Sequence, residues 1–282
     1  LPIVAAAICG WLLYTSYMEA GIEVEVYFSD ATGIVPEKTQ VMSMGIPLGK
    51  VIECVSVINT GAKYNDDVFQ FSVGLNGVGT KAVNALSERL EVKITRDGKS
   101  YRQLYARGIK QTELEDLGKG TGRGTIVTFK PDPQIFTELS FNFETLSNRL
   151  RELAFLNKGL KIVLKDERNG NGRQREEEYY YEGGLASFVE FLRGSRQPLH
   201  PKIIYFETSR EEAEIELAMQ YDDGFSENTH TFVNNINTHE GGTHEEGFRK
   251  ALTRAINEFA RDRSILKEKD PNLAGEDVRE GM

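Results

Sequence analysis

The chain has 282 residues, enough for two ordinary domains, and its 39% hydrophobic and 27% charged residues are typical of a globular protein, not a disordered or fibrous one. Its formal net charge of −9 gives no general attraction to nucleic acid, and no run of lysine and arginine suggests a local binding patch. The two cysteines, Cys9 and Cys54, form no CxxC pair, which indicates buried or lipid-facing thiols and neither a metal site nor a disulfide.

The chain begins with an uncharged apolar stretch, LPIVAAAICGWLLYTSY, over residues 1–17. This length is close to the lower limit for a helix that crosses a bilayer, and Trp11, Tyr14 and Tyr17 resemble an interfacial aromatic belt. The charged residues that follow are mostly acidic, which favours a non-cytoplasmic position. We therefore expect a transmembrane helix over residues 1–17, with a signal peptide and a buried soluble helix as the alternatives.

The next segment, IEVEVYF over residues 22–28, predicts a half-buried strand because apolar residues alternate with glutamate and tyrosine. The apolar helix, this strand, an ATG turn and TQVMSMGIPLGKV together resemble the start of mammalian-cell-entry (MCE) lipid-transport proteins of the paraquat-inducible B type. MCE domains are small β-barrels that need about twice as many residues. The resemblance ends near Val51, so residues 18–44 are expected to be an MCE-like fragment.

From Gly45 onward the chain carries a second set of motifs. They are GIPLGKV, NTGAKYNDDVF, SVGLNGVGTKAVNALSERLEV, RDGKSYRQLYARG, GTIVTFKPDPQIF, RLRELAFLNKGLKI, YYYEGGLASFVEFL, FVNNINTHEGGTHEEGFRKALTRAIN and GEDVREGM. In this order they resemble the ATPase region of the B subunit of bacterial type IIA topoisomerases, DNA gyrase and topoisomerase IV, and NTGAKYNDDVF slightly favours topoisomerase IV. Because GIPLGKV fits both families, the two resemblances together imply a chimera joined within residues 45–51.

The topoisomerase resemblance implies an α/β (α+β) fold with two domains. Residues 45–197 are expected to form a partial ATPase sandwich of the gyrase/Hsp90/histidine-kinase (GHKL) type. Residues 198–282 are expected to form a truncated transducer domain with the ribosomal S5 domain 2-like fold, and PLHP at the start of this range reads as the link between the domains.

The residue patterns agree with this organisation. Val92 and Ile94 alternate with polar residues in a predicted strand, and the dipeptide Asp97-Gly98 predicts a tight hairpin turn. EIELAMQY predicts a further strand, and apolar spacing predicts a helix over about residues 245–263. The apolar face of that helix comprises Phe248, Leu252, Ala255, Ile256 and Phe259.

SVGLNGVGTKAVNAL, residues 72–86, is a glycine-rich loop that leads into a helix. Gly74, Gly77 and Gly79 can adopt positive φ and let backbone amides approach an anion at the start of the helix. The spacing alone favours a plain loop, and only the neighbouring family motifs favour a phosphate site. Asn76 lies where the family usually has histidine, and its amide can donate a hydrogen bond but carries no charge.

The family resemblance implies further nucleotide contacts outside this loop. Lys63 matches a position near the phosphates, although a solvated loop lysine would look the same. Phe69 matches an aromatic position, and Thr125 matches the threonine that helps to hold adenine, although it could simply be a β-branched strand residue. The complete set implied for ATP is Ile46, Pro47, Lys63, Phe69, Gly74, Leu75, Asn76, Gly77, Val78, Gly79 and Thr125.

The catalytic groups of the family are not found in this sequence. The family places a general-base glutamate, a magnesium-binding asparagine and an adenine-binding aspartate upstream of GIP, where this chain has VPEKTQVMSM. The family also has a lysine that contacts the phosphates, in a transducer loop that follows GEDVREG and would come after Met282. We expect the N-terminal arm of the family to be absent as well. We therefore expect no catalytic residue and no metal ligand, and weak nucleotide binding without hydrolysis.

His239 and His244, in THEGGTHEEG, do not predict a metal site, because two glycines separate them and no further ligands cluster nearby.

The resemblance implies part of an ATP-hydrolysing DNA topoisomerase, an isomerase that supercoils or decatenates DNA. ATP is the implied cofactor, with Mg²⁺ in the family, and the implied partners are a second B subunit, the A subunit and, through other domains, DNA. The topoisomerase part would be cytoplasmic, and the chain would lie at the inner membrane if residues 1–17 insert. The alternatives are a membrane-anchored MCE-type lipid-transport protein and a non-catalytic nucleotide-binding module.

Overall fold

The structure is a computed structural model that describes residues 22–28, 51–56, 78–168, 175–210 and 213–282, with backbone only for 22–28, 52–54 and 210. The first element is the strand β1 (Ile22–Phe28). The described residues fall into two compact units, one within residues 31–141 and one that combines 22–28 with 142–282.

The unit within residues 31–141 is an antiparallel sheet with two short helices. Its elements are α1 (Val51–Ser56), α2 (Gly79–Ala85), β2 (Ser87–Arg96), β3 (Lys99–Ala106), β4 (Ile109–Lys110), β5 (Glu115–Lys119) and β6 (Gly124–Pro131). The strand order is β4-β3-β2-β6, and β5 pairs with β3 on the same edge as β4. The strand β2 is therefore central, with β6 beside it.

The core of this unit lies on one face of β2. Alternate residues Leu90, Val92 and Ile94 are buried there, and Val51 and Val55 of α1 pack on the same cluster, as the alternation in the sequence predicts. Asp97 and Gly98 both have positive φ and close the β2–β3 hairpin, which confirms the predicted turn.

The second unit contains the remaining elements. They are α3 (Phe143–Leu156), β7 (Leu160–Asp166), β8 (Arg175–Tyr179), α4 (Leu185–Arg193), β9 (Ile204–Arg210), β10 (Ala213–Met219), β11 (Phe232–Val233), β12 (Ile236–Asn237), α5 (Thr243–Asp262) and α6 (Gly275–Arg279). One sheet has the order β1-β7-β8, and β9–β10 and β11–β12 form two separate antiparallel hairpins. The predicted strand over residues 22–28 is confirmed, and it pairs along the whole length of β7.

Helix α3 packs on the β1-β7-β8 sheet. It begins at Asn142, whose side-chain oxygen accepts a hydrogen bond from the backbone amide of Thr145 at 2.9 Å. Its leucines recur every three or four residues, so they share one face of the helix. The resulting core contains Phe143, Ala154, Ile162, Leu164 and Tyr179, flanked by Leu146, Leu150, Leu153, Leu160 and Tyr181.

The predicted helix near the end of the chain is confirmed as α5, but its buried face differs from the prediction. Phe259 is 56% exposed, whereas Asn257 and Ala260 are buried. The amide of Asn257 exchanges two hydrogen bonds with the backbone of Leu273, at 3.0 and 2.8 Å, which draws this side of α5 against the segment before α6. The polar amide is therefore buried because a backbone partner satisfies it.

In the part of the chain that the structure describes, no helix has both the length and the low polarity needed to cross a bilayer. The transmembrane helix predicted over residues 1–17 lies outside this part, as does most of the MCE-like fragment over residues 18–44. Both remain predictions.

Candidate functional site

Thr125 of β6 lies on the core face of the first sheet. It pairs directly with Ile94, and Val127 pairs with Val92. Directly opposite residues of an antiparallel pair share a face, as do residues two apart on one strand. Because Ile94, Val92 and Val127 belong to the core cluster with α1, the side chain of Thr125 points to the same side of the sheet.

The hydroxyl of Thr125 is buried, yet it has no hydrogen-bond partner among the described residues. Burial of an unpaired hydroxyl is unfavourable by about 1–3 kcal/mol, so native structures rarely leave one unsatisfied. A ligand with a hydrogen-bonding edge, such as adenine, would satisfy this oxygen. The residue that the family resemblance assigns to adenine therefore has the free hydrogen-bonding capacity that the assignment requires.

The predicted phosphate loop enters the described region at Val78 and Gly79. Gly79 is the first residue of α2, and the amide of Ala82 donates to the carbonyl of Val78 at 2.8 Å. Gly79 is helical and does not use the positive φ that a glycine can adopt. No described atom lies within 4 Å of the position that a Cβ on Gly79 would take, so a ligand can approach this backbone.

Helix α2 is fixed by its C-terminal end. The side-chain amide of Asn84, which is fully buried, donates to the carbonyl of Val55 at 3.0 Å and to the hydroxyl of Ser56 at 3.2 Å. The backbone carbonyl of Asn84 accepts from the amide of Gly108 at 3.0 Å. These bonds hold α2 against α1 and the β3–β4 turn, and thereby set the position of the residues that follow the glycine loop.

A second anchor of α2 is the ion pair between Arg107 and Asp132. The carboxylate of Asp132 is 1% exposed, accepts from the Arg107 guanidinium and also accepts from the amide of Gln134 at 2.9 Å. The amide of Asp132 donates to the carbonyl of Leu86, directly after α2. The hydrogen bond from Arg107 is the main cause of a lowered pKa for Asp132. Both residues lie within family motifs of the sequence, but no local pattern indicates a role for either.

Acid is expected to weaken the unit of residues 31–141 through Asp132. A carboxyl whose pKa is lowered by folding stabilises the native state above its ordinary pKa, near 3.9, and that stabilisation is lost as the pH falls through the folded value. Urea unfolding should therefore show a difference between wild type and Asp132→Asn that is present at pH 7 and shrinks below about pH 4. Asp97→Asn, which removes a carboxylate that is 81% exposed in the β2–β3 turn, is the control. A pH-independent difference would contradict the assignment.

The other predicted nucleotide contacts lie outside the described residues, so they remain predictions. They are Ile46, Pro47, Lys63, Phe69, Gly74, Leu75, Asn76 and Gly77. Among the predicted contacts, the structure describes Val78, Gly79 and Thr125, and it places all three in the unit of residues 31–141.

A large groove of about 1030 Å³ runs along α5 in the other unit, but three of the five cations that line it are closely paired with carboxylates. Arg249 and Arg279 both bond Glu227, at 3.0 and 2.9 Å, and Lys250 bonds Glu246 at 2.6 Å. Cations that are paired in this way offer a phosphate little net charge. This groove is therefore a poor alternative to the site beside Thr125.

The histidines of THEGGTHEEG do not converge with other metal ligands in the structure. His244 Nε2 lies 3.1 Å from the hydroxyl of Thr238. Within the described residues, no group of three or more histidine, cysteine, aspartate or glutamate side chains is placed to hold a metal ion.

The sequence is similar to DNA gyrase B. A family model described as DNA gyrase B matches residues 184–282. The DNA gyrase B protein of Halalkalibacterium halodurans is 46% identical over 269 residues, which cover 90% of this chain and 42% of the relative. The DNA gyrase B protein of Staphylococcus epidermidis is 44% identical over 272 residues, which cover 95% of this chain and 42% of the relative. The chain thus spans about two fifths of the length of these relatives.

These alignments bear on the start of the chain. The alignment with the Staphylococcus epidermidis protein covers 95% of the chain, so it leaves out fewer residues than the 44 that precede Gly45. The comparisons therefore give no support to an MCE fragment or to a chimeric junction within residues 45–51. Both relatives are gyrase proteins, so they do not support the slight preference for topoisomerase IV either.

The fold, like the sequence, is similar to that of gyrase B. The 43K ATPase domain of Thermus thermophilus gyrase B, solved in complex with an aminocoumarin, matches the structure with a TM-score of 0.65 and 34% identity. The match covers 82% of this chain and 58% of that chain. The predicted α/β fold of the gyrase ATPase type is therefore confirmed. By sequence and by fold, the chain belongs to the family of bacterial type IIA topoisomerase B subunits.

Proposed function

We propose that the chain is the ATP-binding and transducer region of a type IIA DNA topoisomerase, the ATP-dependent enzyme class that changes DNA topology. Residues 45–197 are assigned to the ATPase domain and residues 198–282 to the transducer. The similarity to gyrase B over most of the chain and the match of the family model to residues 184–282 support this assignment. The partners would be a second B subunit, the A subunit and, through other domains, DNA.

The observation that carries the nucleotide proposal is the buried hydroxyl of Thr125 on the core face of the sheet, which has no hydrogen-bond partner in the described part of the chain. Adenine offers hydrogen-bonding nitrogens on a flat apolar ring, which suits a polar oxygen set among apolar side chains. The phosphates would lie toward Gly79, where the backbone at the start of α2 is open. Neither the Thr125 hydroxyl nor the backbone near Gly79 carries a charge, so these two groups alone would bind ATP weakly.

We do not expect residues 1–282 alone to hydrolyse ATP. Residues 1–44 contain no asparagine, so they cannot supply the family's pair of a basic glutamate and a magnesium-binding asparagine. Phosphoryl transfer depends on a positioned water and on a metal that neutralises the phosphate charge. The chain would therefore bind ATP without turning it over, as a cytoplasmic fragment. No observation on the described residues favours the lipid-transport alternative.

Replacing Thr125 with valine is expected to weaken nucleotide binding about threefold to tenfold, because one hydrogen bond contributes about 0.5–1.5 kcal/mol. The same change should leave the ligand-free chain as stable as wild type or up to about 1 kcal/mol more stable, since it removes a buried unpaired hydroxyl. The measurements are calorimetric titration with a non-hydrolysable ATP analogue and urea unfolding without ligand.

Thr128→Val is the matched control, because Thr128 is an exposed residue of the same strand. It should change neither quantity by more than experimental error. If Thr125→Val binds the analogue as tightly as wild type does, the hydroxyl is not a nucleotide contact and the proposal loses its main support.

A further inference from the structure

The turn between α3 and β7 carries Lys158, whose ammonium group binds the β9–β10 hairpin. Its Nζ donates to the hydroxyl of Tyr205 at 2.7 Å and lies 3.2 Å from a carboxylate oxygen of Glu216. The Tyr205 hydroxyl is also 2.9 Å from Glu216 and 3.0 Å from Glu207. The tyrosine proton can serve one carboxylate at a time, and the ammonium group offsets part of the two negative charges.

The path of the Lys158 side chain is fixed by Gly184. A Cβ on Gly184 would lie 2.5 Å from Cε and 2.7 Å from Cγ of Lys158, so the aliphatic stem crosses directly over the glycine backbone. Only the absence of a side chain at this position leaves room for the stem. The ammonium group is therefore directed toward β9 and β10, although the lysine itself is half-exposed.

The preceding residue of the same turn binds the other hairpin. Asn157 accepts a hydrogen bond at 3.0 Å from the side chain of Asn235, at the tip of β11–β12. Arg149 of α3 donates to the backbone carbonyl of Asn235 at 2.9 Å. Asn234 and Asn235 both have positive φ, which is the geometry of a tight two-residue hairpin turn. The tip of this hairpin is therefore presented to α3 in one defined conformation.

Two adjacent residues thus hold both hairpins of the proposed transducer, and β7 begins two residues after Lys158. Any shift of α3 relative to β7 moves this turn, and with it the attachment points of both hairpins. We propose that Asn157 and Lys158 are positioning residues that form the joint between the proposed ATPase and transducer domains, through which nucleotide binding alters the two hairpins. This inference rests on the function proposed above.

The joint is suited to orienting the hairpins more than to holding the fold together. Its ionic groups are partly exposed, and such pairs contribute little to stability. A separate apolar contact joins Phe188 of α4 to His230 and Phe232, with ring centroids 5.8 and 6.2 Å apart. Because this contact remains when Lys158 is replaced, a substitution at Lys158 should change the response of the hairpins without unfolding the unit.

The test is hydrogen–deuterium exchange of the full chain with and without a saturating non-hydrolysable ATP analogue. In wild type, the analogue should slow exchange in β9–β10 and β11–β12 by about threefold or more, a change typical of altered local opening. Lys158→Met should bind the analogue within about twofold of wild type but lose at least half of the exchange response in β9–β10. Tyr205→Phe should show the same loss, because it removes the hydroxyl that Lys158 binds.

The matched control is Lys161→Met. Lys161 lies in β7, close to Lys158 in sequence, and pairs with Glu178 of β8 at 2.7 Å. It should respond to the analogue as wild type does. If the hairpins do not respond in wild type, or if Lys158→Met responds fully, the inference is overturned and the proposed function still stands. An absence of saturable binding in wild type would overturn the proposed function together with it.

Discussion

Replacing Phe155 with alanine should lower the free energy of unfolding of the unit that contains residues 142–282 by about 3–5 kcal/mol. Phe155 is 2% exposed at the end of α3. Its ring stacks on Tyr181 at 3.7 Å and packs against Phe188 and Phe191 at 5.0 and 5.4 Å between centroids. Alanine would leave a cavity between α3 and α4 that these rigid rings could fill only in part. Urea unfolding followed by circular dichroism measures the effect.

Phe225→Ala provides the comparison, because Phe225 belongs to the same unit and is 86% exposed. Its replacement should change the free energy of unfolding by no more than about 0.5 kcal/mol. If Phe155→Ala were no more destabilising than Phe225→Ala, the aromatic cluster would not be the apolar centre that joins α3 to α4.

Gly281→Ala should release α6 from the loop that precedes β11, at an expected loss of about 2–3 kcal/mol of local stability. Gly281 has φ of 74°, and an added Cβ would lie 2.7 Å from the backbone oxygen of Asp222 and 2.8 Å from that of Gly224. Backbone atoms cannot move aside as a flexible side chain can. The carbonyl of Gly281 also accepts a hydrogen bond from the amide of Asp222 at 2.8 Å, which the clash would break.

Two measurements follow the release of α6. Amide exchange should accelerate over residues 275–282. The pKa of Tyr221, which burial raises, should fall toward its ordinary value, because its hydroxyl donates to the carbonyl of Val278 in α6 at 2.8 Å. Gly98→Ala is the matched control, since Gly98 has nearly the same φ of 75° but no atom within 4 Å of the position that an added methyl would take. Equal effects at the two sites would mean that backbone strain, and not the clash, dominates.

The local structure of this chain follows closely from its sequence where short-range rules decide it. Alternating Val92 and Ile94 predict a strand with one buried face, and Asp97-Gly98 predicts its hairpin, because both signals depend on adjacent residues. The buried side of α5 could not be predicted in this way. Asn257 is buried because its amide meets the backbone of Leu273, a contact set by the later course of the chain and not by the periodicity of the helix.

The candidate site likewise combines a residue that the sequence motifs indicate with contacts that depend on distant parts of the chain. Family motifs point to Thr125, but the burial of its hydroxyl depends on its pairing with Ile94 in a neighbouring strand. The anchors of α2, Asn84 and the Arg107–Asp132 pair, are polar residues whose partners are 25 or more residues away in sequence. Spacing within one segment cannot reveal such pairs, so only the structure gives them a role.

The central proposal is that residues 1–282 alone bind a nucleotide beside Thr125 and the start of α2 without hydrolysing it. The most direct measurement combines calorimetric titration of the purified chain with ATP and Mg²⁺ and an assay of phosphate release, with and without DNA. We expect saturable binding, weakened by Thr125→Val, and no phosphate release above the buffer control. Phosphate release that DNA stimulates, or no saturable binding at all, would contradict the account.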